Sequence, residues 1–197
     1  MSAAAAMYPF LSAAFLLLLL MGVLAIVYRS WRNGISPMPA AALVRQAVVR
    51  ELKRLERDAA PEGTATPFAI SPIVEAGAGW GTLAWAIAGG NPDWRIIGIE
   101  NSVIPWLFSR LAWRRGAGLR VRFLRGDLYE FPYETAGTVV CYLYPGAMRR
   151  LDSLFRERLA SGARVVSVCF ALPGWRPMRV VTCRDLYRTK IYIYEKH

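Results

Sequence analysis

The chain has 197 residues, 55% of them hydrophobic, with 25 Lys+Arg against 14 Asp+Glu and a formal net charge of +11. That length suits one domain able to bury its own core, and the surplus of base disfavours a strongly basic partner. Three cysteines, Cys141, Cys169 and Cys183, lie far apart in apolar runs, so buried free thiols are expected rather than a disulfide framework or a metal site. The only histidine is the terminal His197, which turns the search for chemistry towards carboxylates, water and a bound cofactor.

Residues 8–28 read YPFLSAAFLLLLLMGVLAIVY, 21 positions without a charge. As a helix that run would measure about 31 Å, the thickness of a bilayer core. Tyr8 and Tyr28 bracket it as interfacial aromatics do, and Arg29 and Arg32 follow at once. A cleaved signal peptide would want a basic leading segment and a small-residue cleavage site, and neither is present. The expectation is an uncleaved single-pass transmembrane anchor over residues 1–30, with the main domain on the cytoplasmic side of the membrane.

Asn33, Gly34, Ser36 and Pro37 mark a short linker. After it, Val44, Val48, Leu52 and Leu55 recur at helical spacing, with Arg45, Arg50, Lys53, Arg54 and Arg57 on other faces. This reads as an amphipathic helix packed on the domain, whose basic face can also rest on anionic lipid. Residues 60–67 close the linker-and-helix region, 31–67, as a loop.

From residue 68 to the end, strands and helices alternate. FAISPIVEAGAG is a strand ending in a glycine loop, and GTLAWAIAGG is a helix. WRIIGIE is a second strand, VIPWLFSRLAWRRG a helix with Pro105 in its first turn, and LRVRFLRGD a third strand. TAGTVVCYLYP, the helix GAMRRLDSLFRERLASG and the strand ARVVSVCFALP follow. The pattern predicts an α/β domain: a Rossmann-like, doubly wound, mostly parallel sheet. Only about seven residues separate the fifth strand from MRVVTCRD, too few for a crossover helix. The last two strands, MRVVTCRD and KIYIYEKH, should therefore include an antiparallel pairing, with their order left open.

Ligands in such sheets bind beyond the carboxyl ends of the strands, and three motifs fall there. The first is Glu75-Ala76-Gly77-Ala78-Gly79-Trp80-Gly81. Its glycines allow a tight turn and close backbone approach. The third glycine comes one residue too early for a dinucleotide fingerprint. An acid ahead of G-x-G-x-G suits S-adenosylmethionine better, because the carboxylate can accept from the ligand's ammonium group. The second is Glu100, ending the second strand, where a carboxylate can accept both hydroxyls of a ribose. The third is Asp127, after the third strand, able to accept from an adenine amino group. Each alone fits an ordinary turn or surface charge; together, on successive strands, they predict a cofactor site.

EAGAGWG, GIENSVIPWLFSR, VRFLRGDLYEF, YLYPGAM and GARVVSVCFALPGWRP with IYIYE resemble class I S-adenosylmethionine-dependent methyltransferases. More narrowly, they resemble the small protein-lysine methyltransferases, archaeal or membrane-anchored, that include the ATP synthase c-subunit enzymes. The resemblance covers roughly residues 38–195. It implies that Glu75, Gly77, Gly79 and Gly81 hold the methionine end of the cofactor, Glu100 the ribose and Asp127 the adenine. It further implies that Tyr144 and Pro145 line the mouth where the acceptor enters. A lysine acceptor wants an apolar, aromatic mouth, for which Phe170 and Trp175 are further candidates, with plain core packing as the alternative. Trp80 stands where the family usually has an acidic residue. The implied activity is methylation of a lysine on a membrane-associated protein. Methylation of a small molecule, a lipid or RNA is the alternative, with an inactive membrane-tethered binding module third. RNA is kept because Arg110, Arg114, Arg115, Arg120, Arg122 and Arg125 occur without an intervening acid.

Overall fold

In a computed structural model of the chain, residues 3–33, 39–59, 71–112 and 120–197 are described. The expected linker at Gly34, Ser36 and Pro37, the loop 60–67, and Arg114 and Arg115 lie outside them. The chain divides into two compact units, Met1–Ser36 and Pro37–His197.

The first unit holds α1 (Ala3–Asn33), whose apolar side chains such as Phe10, Leu16 and Leu20 are exposed. Among the described residues, no helix is long and apolar enough to cross a membrane. This corrects the expectation of a transmembrane helix ahead of the domain, and with it the single-pass membrane placement.

The second unit is the α/β domain. Its elements are α2 (Ala42–Ala59), β1 (Ile73–Ala76), α3 (Thr82–Ala88), β2 (Ile96–Glu100), α4 (Val103–Leu111) and β3 (Val121–Arg125), then a 3₁₀ turn (Tyr133–Thr135), β4 (Thr138–Cys141), α5 (Pro145–Arg158), β5 (Arg164–Val168), β6 (Arg179–Thr182) and β7 (Lys190–Glu195). The β-branched runs IVEA, TVVC and RVVSV make strands almost wholly buried, as parallel strands covered on both faces must be. Pro145 opens α5 at its first turn, where its missing N–H costs nothing.

The sheet runs β3-β2-β1-β4-β5-β7-β6. The first five strands are parallel, in registers such as Ile73↔Ile96 and Ile73↔Thr138. β7 pairs antiparallel with both β5 and β6. Burial explains why β7 sits inside and β6 at the edge. Ile191, Ile193 and Tyr194 of β7 are fully buried, whereas β6 alternates between half-buried and exposed. At the other edge, β3 turns Arg122 and Arg125 to solvent, which blunts strand-to-strand association.

One face of the sheet packs a single core with α2 and α3. Val44, Val48, Leu52 and Leu55 meet Ile73, Ile96, Val140, Val166 and Ile193 there. Side chains alternate along a strand, so Ser167, between Val166 and Val168, points to the opposite face. That face is covered by α5, where the Ser167 hydroxyl lies 3.8 Å from the Met148 Sδ.

The helix α2 is held by burial and by polar ties. Four fully buried aliphatic side chains contribute about 1.5–3 kcal/mol each. Trp94 Nε1 donates to Glu56 at 2.7 Å, Arg164 donates to the Leu55 carbonyl at 3.1 Å, and Arg179 pairs with Glu51 at 3.4 Å. Trp94 is completely buried in the same core. Replacing it with alanine empties a large site and takes from Glu56 the shorter of its two donors, leaving Asn91 Nδ2 at 3.5 Å. Trp94→Ala should cost about 3–5 kcal/mol in urea unfolding, with the domain still cooperative.

Candidate active site

The glycine loop, Glu75 and Glu100 come together at the carboxyl ends of β1 and β2, and Asp127 follows the next strand, β3. β1 ends at Ala76 and the chain turns through the glycine loop into α3. Gly77, Gly79 and Gly81 all have positive φ, at 76°, 53° and 75°, which side chains with a Cβ rarely adopt. At Gly81 a Cβ would stand 2.7 Å from Phe123 and 2.8 Å from Ser109, so this glycine also closes packing between loop and sheet. At Gly79 a Cβ would meet nothing within 4 Å: that face of the loop is open.

The loop is tied to β2. Ala78 N–H donates to the Ile99 carbonyl at 2.8 Å. Gly79 N–H donates to Glu100 Oε2 at 2.9 Å, and Ser102 N–H donates to Glu100 Oε1 at 2.7 Å. A carboxylate offers about four acceptor positions, so Glu100 keeps capacity for further donors.

Glu75 is the unusual group. It is 3% exposed, and its Oε2 has no hydrogen-bond partner. Burial pushes its pKa up to about 8; the Ala84 backbone N–H opposes this and the nearby Glu100 charge adds to it. A buried acid with an orphaned oxygen, beside an open glycine loop, is fitted to receive a cationic group from a ligand.

Asp127 lies two residues beyond β3. It is exposed, and its Oδ1 accepts from Tyr129 N–H at 2.9 Å, capping the turn that follows. Tyr144 is the residue before α5, its carbonyl accepting from Met148 N–H at 3.1 Å. Its ring lies against Gly146, where a Cβ would come within 2.5 Å of it. Pro145 is exposed beside it.

Two residues without a sequence signal join Tyr144. Tyr129 is close enough for Tyr144 to help raise its pKa, after burial, and Arg150 opposes that rise. The Arg150 guanidinium sits 3.7 Å from the centre of the Tyr129 ring. Arg150 is one of many arginines on an amphipathic helix, and only the fold shows which of them faces this corner. Phe170, just past β5, is 37% exposed. Trp175 belongs elsewhere: its Nε1 donates to Asp152 of α5 at 2.6 Å, and its ring meets Tyr194 edge-on. Trp80 packs edge-to-face on Phe108. Among the described residues, no group of His, Cys, Asp and Glu could hold a metal ion.

Residues 75–179, just over half of the chain, match the ANTKMT methyltransferase domain. The chain belongs to that family. Mouse adenine nucleotide translocase lysine N-methyltransferase is 39% identical over 80 residues, 39% of this chain and 35% of that protein. The rat lysine N-methyltransferase of the ATP synthase c-subunit is 32% identical over 109 residues, 54% of this chain and 49% of that protein. The matches thus span half or less of these relatives. An RNA methyltransferase from Salinibacter ruber, solved with S-adenosyl-L-homocysteine, is 26% identical with a TM-score of 0.64, covering 80% of this chain and 93% of that one. TrmN from Thermus thermophilus shares the fold, with a TM-score of 0.55 at 20% identity over 76% of this chain and 48% of its own.

The raised pKa of Glu75 makes stability depend on pH with a definite sign. Between its ordinary value of 4.5 and about 8, the folded protein holds a proton that the unfolded chain has lost. Stability should therefore fall as pH rises through that window and level off above it. Glu75→Gln should flatten this slope and make the ligand-free protein more stable than wild type at pH 9, by on the order of a few kcal/mol. Urea titrations across pH 5–9 measure both.

Proposed function

We propose that this domain transfers a methyl group from S-adenosylmethionine to a lysine side chain of a membrane-associated protein. The observation that carries the reading is the buried carboxyl group of Glu75, whose Oε2 lacks a partner, beside an open glycine loop, with Glu100 and Asp127 at the ends of the next two strands. When bound, S-adenosylmethionine supplies a methyl carbon already activated on a sulfonium.

The residues present fit that cofactor. Glu75 would accept from its ammonium group, regaining the partner its Oε2 lacks, and Gly77, Gly79 and Gly81 would let the backbone close on the methionine end. Glu100 would accept from the ribose hydroxyls with its remaining lone pairs, and Asp127 from the adenine amino group. Tyr144 and Pro145 would form the acceptor mouth, joined by Tyr129 and Phe170.

A lysine must arrive with a free lone pair. A half-dry aromatic mouth disfavours the ammonium form, and the Arg150 guanidinium beside Tyr129 disfavours it further by like charge. The mouth then needs only to hold the amine in line, close to the methyl carbon. The catalytic domain in this reading runs over residues 68–197, with α2 packed on it. The basic residues Arg45, Arg50 and Lys53 of α2 line an open cleft of about 500 Å³ against α3 and would face anionic lipid near the substrate.

The lysine assignment draws on the two relatives named for lysine N-methylation. RNA is the second reading, favoured by the S. ruber likeness; Arg120, Arg122 and Arg125 of the β3 edge are its candidate contacts.

Cofactor binding should release protons at pH 7, because Glu75 must ionise to meet an ammonium. Calorimetry in buffers of differing ionisation enthalpy reads that release, and Glu75→Gln should abolish it. Glu100→Gln should weaken S-adenosylmethionine by about 1–3 kcal/mol, a charged hydrogen bond's worth. With labelled cofactor and native membranes, acid-stable methyl-lysine is the expected product. Label confined to RNA or lipid would replace the lysine assignment, and unchanged cofactor affinity in a folded Glu100→Gln would overturn the site.

A further inference from the structure

The loop joining β6 to β7 exposes more apolar surface than its construction requires. Leu186 is 89% exposed and Tyr187 86%, the highest values of any large hydrophobic side chain among the described residues. Yet the loop is tightly built. Cys183 N–H donates to the Thr189 carbonyl at 2.8 Å, and Arg188 N–H donates to the Asp185 carbonyl at 3.0 Å. Thr189 donates its amide to Asp185 Oδ1 at 2.8 Å and its hydroxyl to Oδ2 at 2.6 Å. Arg188 closes the turn at a φ of 49°. Four hydrogen bonds therefore hold out two greasy side chains that touch little of their own domain.

Charge surrounds that tip asymmetrically. Arg184, Arg188 and Lys190 are all exposed around it, and the loop's one acid, Asp185, has both oxygens engaged by Thr189. The surface offered outward is an apolar pair inside a collar of cations. The loop also lies at the active-site edge. β6 runs parallel to β5, so its carboxyl end emerges beside those of β4 and β5. Three ladder steps separate β6 from β4, which puts the loop about 14 Å along the edge from the strand leading to Tyr144.

We propose that the loop from Cys183 to Lys190 dips into the interface of an anionic bilayer. Leu186 and Tyr187 enter the headgroup boundary while Arg184, Arg188 and Lys190 contact lipid phosphates. The chemistry is that of an interfacial element, with an aromatic and an aliphatic tip flanked by base. A protein partner is the poorer occupant, because a stable interface needs about 800 Å² on each side and a two-residue tip offers far less. Docked this way, the carboxyl edge of the sheet, and the acceptor mouth on it, faces the membrane surface. The contact is peripheral and independent of the methyl-transfer reading.

The test is hydrogen exchange of the full chain, read on the peptide covering residues 183–190 and so insensitive to lipid contacts made elsewhere. Vesicles of phosphatidylcholine alone are compared with phosphatidylcholine and phosphatidylglycerol in equal parts. Exchange should slow several-fold with the mixed vesicles only, and the slowing should fade as salt is raised. It should vanish in Leu186→Ser/Tyr187→Ser and shrink in Arg184→Gln/Arg188→Gln, with β7 exchange unchanged as the check on folding. If the serine pair disturbs β7, the arginine pair and the salt series decide alone. No slowing, equal slowing on both vesicles, or slowing without lipid that grows with protein concentration (a second copy covering the tip) each overturns the proposal.

Discussion

The carboxylate of Glu100 is the joint on which the site depends. It accepts one backbone N–H from the glycine loop after β1 and another from the start of α4, and so fixes the ends of two strands against each other. Strand pairing alone would set β1 and β2 at the same height in the sheet. It would not set the path of the loop between Ala76 and Thr82, whose glycines leave it many conformations. Two hydrogen bonds to a charged acceptor, with the Ala78 amide on Ile99, select one.

That selection has a cost elsewhere. A loop held close to β2 brings Glu100 near the buried Glu75, and like charge adds to the burial that keeps Glu75 protonated. A domain optimised only for stability would place an aliphatic side chain there, next to Val74 and Ala76. Retaining a half-satisfied acid in the middle of an otherwise apolar strand is understandable if its partner arrives with the ligand. The same reasoning separates Glu75 from Cys141, which is also fully buried and also pushed up by desolvation. A neutral thiol is comfortable in a core, and Cys141 asks for no partner.

The far side of the sheet is shaped by the absence of a crossover helix after β5. Cys169 takes a φ of 73°, and the chain then runs through Leu172, whose N–H donates to the Tyr194 hydroxyl at 3.0 Å. Trp175 follows, pinned by Asp152 and flanked by Arg156 at 5.3 Å. This short strap reaches the edge and lets β7 fold back beside β5. The two terminal strands thereby extend the active-site edge and present a loop on it, at the opposite end from the arginine-lined β3.

Much of this was legible in the residues themselves. Alternating apolar runs and helical periodicity set out the five parallel strands and α2 to α5, because burial on two faces demands continuous Val and Ile, and burial on one demands a stripe. Glu75, Glu100 and Asp127 could be placed near the carboxyl ends of strands because each lies within or just after such a run. The 21-residue uncharged segment read as a membrane span on composition alone, a reading not upheld among the described residues. Other facts depend on long-range contacts that no local pattern encodes. The interior place of β7 follows from which faces of KIYIYE find cover. The meeting of Tyr129, Tyr144 and Arg150 joins a turn to a helix 21 residues further on. That Glu75 Oε2 lacks a partner is a property of everything around it. Sequence determined which side chains could serve at a strand end; only the packed sheet decided which of them lack a partner and which of them meet.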